Sequence, residues 1–338
     1  MLRPPSGSGA VRVLLLALFV FVVGLPPGGG TARARTACAE AGRPLRVMTL
    51  NLQFTRVWGR GGELDTLARY VAAREVDVLL LQEVSGGLLA GAASTADELR
   101  RILHGRFGRT FELVYAPASG VRGLFTVGNA VLSRCPVVRR AVARLPEVAE
   151  LRVAGAKWRL ERNVLGVEIA THDGSVAVYT THLCADCEAE DRSIQLARAL
   201  TFLNRREAGR DRPVLFGGDF NLDIFRSAGE RRLYRRIRDA GFVDVAAVDR
   251  PAEGLCAEPS QPDDSCTVGV ADPIRPHSRR IDYLFARGAV AVVEQEVVFN
   301  PRIDARLPAV SNHAAVAAAL RLGGMPRIAR SATARPGL

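Results

Sequence analysis

Carboxylates, carboxamides and imidazoles stand at the ends of several apolar runs in this chain, and these are the groups from which acid–base and metal chemistry is built. Val78–Leu81 leads through Gln82 to Glu83, and Ser175–Thr180 leads through Thr181 to His182. Pro213–Phe216 runs into Gly217-Gly218-Asp219-Phe220-Asn221. There the glycines allow backbone to approach closely, and the two-residue spacing sends Asp219 and Asn221 the same way. In Arg46–Asn51 the residues Val47, Thr49 and Asn51 share one face, with Met48, Leu50 and then Leu52 on the other. Near the end come Arg280-Ile281-Asp282-Tyr283 and Ser311-Asn312-His313. Singly, each has a plainer reading. An Asn or Asp closing a strand forms turns, a lone Glu sits on a solvated rim, and a lone His is satisfied structure. His104, His172 and His277 read as surface histidines.

The elements that must position these groups are short and mixed. Strands are expected at 46–51, 77–81, 111–115, 130–133, 164–170, 176–180, 214–216, 281–285, 290–298 and 314–320. Helices are expected at 64–74, 95–103, 191–205 and 230–240, with Gly209 as a stop signal beyond the third. Several connections are too short for parallel crossovers, so antiparallel pairs must occur within a large mixed α/β domain. No linker, charge block or repeat divides residues 35–321.

The composition excludes disordered, collagenous and coiled-coil classes: of 338 residues, 48% are apolar and 24% charged, with 32 Gly and 18 Pro. The net charge is +11, and Lys157 is the sole lysine. An excess made almost wholly of arginine is what a GC-rich coding sequence produces, yet it still raises the local concentration of phosphate-bearing partners. Residues 1–34 read as a signal peptide: Arg3 and Arg12 precede the apolar run Val13–Leu25, and Ala32-Arg33-Ala34 matches a cleavage site. The run falls short of the roughly 20 residues that span a bilayer. The mature protein is therefore expected to be exported, soluble, without an integral membrane anchor, and monomeric. Export makes the six cysteines disulfide partners, with Cys184–Cys187 and Cys256–Cys266 as local pairs and Cys38–Cys135 left over. Residues 322–338 read as a frayed, disordered tail.

Taken together, TLNLQ, LLLQEV, GNAVLSR, YTTHL, GGDFNLD, RRIDYLF and SNHAAV, spanning about residues 45–321, resemble the endonuclease/exonuclease/phosphatase superfamily. That resemblance implies a four-layer α/β/β/α sandwich of two mixed, largely antiparallel sheets flanked by helices. It also implies hydrolysis of phosphate esters with a divalent metal, Mg²⁺ or alternatively Mn²⁺. Carried over residue by residue, Glu83 is the main metal ligand with Asn51 beside it. His313 is the acid or base, oriented by Asp282; His182 donates to a non-bridging phosphoryl oxygen. Asp219 orients or deprotonates the attacking water, Asn221 grips the scissile phosphate, and Asn129 shapes the site. Asn312 stands where the family usually has Asp, a position that in several members serves the metal. It keeps one carbonyl oxygen and loses a charge, which implies weaker metal binding.

The substrate reading rests on charge. A secreted nuclease acting on phosphodiester bonds fits the basic balance and the arginines flanking the motifs, Arg56, Arg60, Arg122, Arg162 and Arg280, with Arg162 the candidate substrate contact. Nucleic acid is the leading substrate. A sphingomyelinase-like lipid phosphodiesterase or small-molecule phosphatase is the alternative, although no aromatic cluster suggests a membrane-contacting hairpin. A catalytically weak phosphate-binding module rests on Asn312 alone. The stretch Arg231–Arg238 reads as a solvated basic helix face, with docking on DNA or anionic lipid as the alternative.

Overall fold

A computed structural model describes Cys38 and residues 42–323, apart from 54–60, 92, 149, 154, 155, 160, 186, 258–262, 270–277 and 303. Residues 1–34, expected to be a signal peptide, the tail beyond 323, Arg56, Arg60 and His277 lie outside the described residues.

The elements run β1 (Leu45–Asn51), α1 (Gly61–Ala73), β2 (Val78–Gly86), α2 (Thr95–Phe107), β3 (Glu112–Val121), β4 (Phe125–Ser133), β5 (Val137–Arg144), β6 (Glu150–Val153), β7 (Ala156–Arg159), β8 (Asn163–Thr171), β9 (Gly174–His182), α3 (Ala189–Glu207), β10 (Val214–Asp219), α4 (Ala228–Asp239), β11 (Val243–Asp244), β12 (Asp282–Arg287), β13 (Val290–Val298) and β14 (Ala315–Leu322). Two six-stranded sheets form, ordered β13-β14-β1-β2-β4-β3 and β11-β12-β10-β9-β8-β5, with β6-β7 a separate hairpin. Only β1–β2 and β9–β10 pair in parallel among the named strands.

Strand alternation explains the layers. Leu45, Val47, Val78 and Leu80 of the first sheet meet Leu165, Val167, Val178, Leu215 and Leu284 of the second in one apolar cluster between the sheets. Met48, Leu50, Leu79 and Leu81 point the other way, onto Leu64, Leu67, Leu99 and Leu103 of α1 and α2. Tyr179, Phe216 and Phe285 cover the opposite side under Leu196 and Leu203 of α3 and Leu233 and Ile237 of α4. The result is the expected α/β/β/α sandwich. The division of β1 into a Val47/Thr49/Asn51 face and a Met48/Leu50 face holds.

The expected strands and helices recur, several of them a few residues longer. Strand β5 escaped sequence patterning because it is an edge strand with most of its side chains exposed, so its apolar residues carry no burial rhythm. Strand β11 is only two residues long. The cysteines pair as expected: Cys38–Cys135, Cys184–Cys187 and Cys256–Cys266, with Cα–Cα separations of 4.5, 5.7 and 5.0 Å. Among the described residues no helix is long and apolar enough to cross a membrane.

One buried ion pair ties the helices of the second sheet to the loop beyond β9. Arg192 of α3 pairs with Glu230 of α4, both essentially without solvent access. Arg192 Nη1 also donates to the carbonyls of Cys184 (3.1 Å) and Ala185 (3.3 Å). Removing one partner leaves a buried charge without its counter-ion. Glu230→Ala should therefore cost about 3–5 kcal/mol, read as a shift in the urea unfolding midpoint at unchanged slope.

Candidate active site

Both sheets present their ends at one place, and each does so with the same local turn. In β1 the Asn51 side-chain oxygen accepts from the Gln53 N–H at 2.9 Å, with Gln53 at φ 54°. In β10 the Asp219 side chain accepts from the Asn221 N–H at 2.9 Å, with Asn221 at φ 48°. Asx turns of this kind stop a strand and hold the side chain across its end. The two turns touch: Asn51 Nδ2 donates to Asp219 Oδ2 at 2.9 Å.

Register supplies the second sheet's row. Asp219 lies opposite His182 on β9 and opposite Asp282 on β12. Gly218 makes that row close, because a Cβ there would stand 2.0 Å from the Thr181 carbonyl oxygen, and its φ is 148°. In the first sheet the register slips between Leu81 and Val84, so that Gln82 and Glu83 face β4 as a bulge. Glu83 takes φ 52°, an unfavourable backbone state for a residue with a Cβ. The bulge separates the two neighbours. Gln82 stays buried, donating to Thr49 Oγ1 (3.1 Å) and Thr180 Oγ1 (2.9 Å), while Glu83 turns to accept from Asn51 Nδ2 at 3.1 Å.

His313 arrives just before β14. Its Nδ1 lies 2.8 Å from Asp282 Oδ2, and its Nε2 lies 3.9 Å from Asp219 Oδ2. Burial alone would pull this imidazole down, but the charge and hydrogen bond of Asp282, joined by Asp219 and Glu83, push its pKa up to about 9. His182 behaves oppositely. Burial, then the charges of Arg162 and His313, hold it well below the usual histidine range. Arg162 Nη1 lies 3.0 Å from His182 Nδ1. A guanidinium can only donate, so Nδ1 is the acceptor and the imidazole proton sits on Nε2. That Nε2 faces Asp219 Oδ2 at 3.4 Å. Burial and the neighbouring Asp282 charge raise Asp219 to about 7, against the opposing pull of His313, Asn51 and the Asn221 amide.

Asn51, Glu83, His182, Asp219, Asp282 and His313 thus converge, with Asn221 beside them donating from Nδ2 to the Leu183 carbonyl at 3.0 Å. Asn129 is buried opposite the Glu83 bulge, its Nδ2 donating to the Asn163 backbone (3.0 Å) and side-chain (2.7 Å) oxygens. It links the two sheets. Asn312 is exposed and accepts from Ser311 Oγ at 3.3 Å. Arg280 is not a phosphate-facing arginine. It is buried, its Nη2 shared between the two carboxylate oxygens of Asp244 at 2.6 and 2.7 Å and its guanidinium 4.3 Å over Tyr283, because Asp244 would otherwise be an uncompensated buried charge.

Sequence reading missed Asn163, and also Thr267, whose Oγ1 accepts both the Ile281 and Asp282 N–H at 3.1 Å and fixes the start of β12. Neither carries a local signal. Gln82 did, as a polar side chain inside a buried run.

Could this site hold a divalent cation? Ligand atoms of Asp219, Asp282 and His313 lie within 4.8 Å of one another, and Asp282 Oδ1 is buried without a hydrogen-bond partner. The donors are carboxylate and amide oxygens with one imidazole, and two adjacent buried carboxylates repel until a cation intervenes. This donor set suits a hard divalent ion.

A phosphoesterase sandwich is the class this fold and site define. The chain matches the model of the Endonuclease/Exonuclease/phosphatase family over residues 48–313 and belongs to that family, whose members are phosphoric-ester hydrolases. Among solved structures, a family protein from Leptotrichia buccalis shares 20% identity over 82% of this chain and 99% of its own, with TM-score 0.61. One from Beutenbergia cavernae shares 25% identity over 83% of this chain and 72% of its own, with TM-score 0.59. A mannosyl-6-phosphatase from Bacteroides thetaiotaomicron shares 17% identity over 82% and 99%, with TM-score 0.56. No curated protein matches the chain.

The two histidines should be distinguishable in imidazole ¹H–¹⁵N spectra of the cation-free protein. His313 is expected to lose its second proton only near pH 9, and His182 to remain neutral with its proton on Nε2. Asp282→Asn should lower the His313 transition, since burial is then opposed only by the charges of Asp219 and Glu83. A His182 carrying its proton on Nδ1 at neutral pH would contradict the role assigned to Arg162.

Proposed function

We propose that the protein is an exported phosphodiesterase, dependent on a divalent cation, whose leading substrate is nucleic acid. The observation that carries the reading is the pair of unlike histidines around Asp219, a proton-rich His313 held by Asp282 and a neutral His182 whose Nε2–H faces Asp219 Oδ2. Glu83 and Asn51 would hold the cation, with Asn312 contributing at most a neutral amide. When bound, Mg²⁺ or Mn²⁺ would draw charge from the phosphoryl oxygens. His182 Nε2–H would donate to a non-bridging oxygen, and Asn221 would steady the scissile phosphate. Asp219, raised toward neutrality, is suited to accept the proton of an attacking water, and protonated His313 to stabilise the charge that builds on the phosphoryl oxygens or to protonate the leaving oxygen. The signal-like segment at 1–34 and the three disulfides support export. Without the three arginines of residues 1–34 the net charge of +11 falls to +8, which still favours a phosphate polymer over a small ester.

One surface feature favours a second reading, an amphiphilic phosphodiester. Leu88, Leu89, Val121 and Leu124 are 68, 51, 61 and 47% exposed. They are drawn together where Leu88 N–H and Leu89 N–H donate to the carbonyls of Gly123 (3.0 Å) and Leu124 (2.9 Å), past the Glu83 end of β2. Sequence reading found no apolar element of this kind because its members come from two separate turns.

Supercoiled plasmid with Mg²⁺ separates the readings. Nicking that EDTA abolishes and His313→Ala lowers by at least about a hundredfold supports the nuclease, a loss typical of removing general acid–base catalysis. Absence of nicking with Mg²⁺ and with Mn²⁺, alongside release of phosphocholine from sphingomyelin vesicles, would replace it with the lipid reading.

A further inference from the structure

The arginines of α1 and α2 differ from those of α4. On the first sheet's helices they are neutralised. Arg69 of α1 pairs with Asp65 at 2.9 Å, and on α2 Arg100 and Arg101 pair with Asp97 at 2.7 and 3.3 Å, while Arg106 reaches Asp65 at 2.5 Å. Helix α4 is different. Arg231, Arg232, Arg235, Arg236 and Arg238 are all exposed, and among the described residues none has a carboxylate within ion-pairing distance. The helix's own Glu230 is turned inward and committed to Arg192. The hydrogen bonds of these five side chains go to neutral groups, from Arg231 to the Ile224 carbonyl at 3.2 Å and from Arg236 to Ser193 Oγ at 3.3 Å.

A genome-wide preference for arginine would load every helix alike. It does not explain why carboxylates pair with the arginines on α1 and α2, while on α4 Glu230 is turned inward and Asp239, at the helix end, pairs with none of the five. The five positions form one stripe, since Leu233, Tyr234 and Ile237 take the buried side. From Arg231 to Arg238 the stripe rises about 10 Å. It starts one short loop after Asn221, and Arg231 is fastened to that loop. Five like charges this close repel one another, a cost that an anionic polymer lying along the helix would reverse. No large apolar side chain of α4 itself is exposed; beside the stripe only single ones are, Phe225 in the preceding loop and Ile194 next to Ser193, whereas the four-residue apolar patch lies at the first sheet.

We propose that the Arg231–Arg238 face of α4 is a docking surface for the nucleic-acid backbone, contacting phosphates beyond the scissile one. The proposal rests on the nucleic-acid reading of the site, but its chemistry is binding and can be tested without turnover. In EDTA, the affinity of the full protein for a 30-base-pair duplex is measured between about 50 and 200 mM salt, where phosphate contacts dominate the salt dependence. The variants are R231Q/R232Q/R235Q/R236Q/R238Q and, as a control on the neutralised face, R100Q/R101Q/R106Q.

The α4 variant should bind at least about tenfold more weakly. Its plot of log K against log salt should flatten by about 0.9 for each phosphate that the helix no longer neutralises. The α2 variant should match wild type, and all three proteins should hydrolyse bis(p-nitrophenyl) phosphate alike with unchanged melting temperatures. Duplex affinity and salt slope that survive the α4 substitutions overturn the proposal. So does arginine-dependent binding to phosphatidylglycerol vesicles without binding to duplex, which would assign the face to a membrane. A wild type that binds duplex through α4 but never cleaves it leaves the docking surface standing and removes the nuclease reading instead.

Discussion

A carboxylate without solvent access has to be compensated from every side, and Asp219 is that carboxylate here. Asn51 reaches it from the other sheet, the Asn221 amide from its own turn, and the imidazoles of His182 and His313 from flanking segments. Each of these partners sits at a strand end, so satisfying one buried charge obliges both sheets to finish at the same place. The pairing register, the Glu83 bulge and the glycine behind Asp219 all serve this convergence. Asp282 adds a second charge at the same depth, which is compensated by His313 on one oxygen and leaves the other without a hydrogen-bond partner.

That arrangement also separates the two histidines, which are chemically identical side chains within one buried cluster. A carboxylate at Nδ1 makes His313 a proton carrier. A guanidinium at the corresponding atom makes His182 a neutral donor. Burial lowers both rings; the Nδ1 partner separates them, Asp282 overcoming burial at His313 and Arg162 adding to it at His182.

Much of this was legible in the sequence because strand ends carry strong local signals. Alternation in β1 and the unbroken apolar run of β2 announce their burial, and GGDFN contains both the close approach and the paired Asp219 and Asn221. The motif residues that converge were all recognisable in order. What escaped is non-local. Arg280 reads as a basic residue next to a site until β11 brings Asp244 to it. Asn129 reads as a site residue, and only the packing of β4 on β8 shows its amide engaged by Asn163. The edge strand β5 lacks a burial rhythm for the same reason its arginines are exposed. The exposed leucines gather from two turns that no linear pattern connects.

The first and last strands of the domain have a consequence for time. β1 carries Asn51, and its antiparallel partner β14 begins just after His313, so the site joins residues from opposite ends of the folded chain. Contacts of such long sequence separation close late and slowly. A chain that lacks its last strand holds most of the individual side chains but not the arrangement they form. The site is complete only when the final strand has docked, which makes its assembly itself a report on the completion of folding.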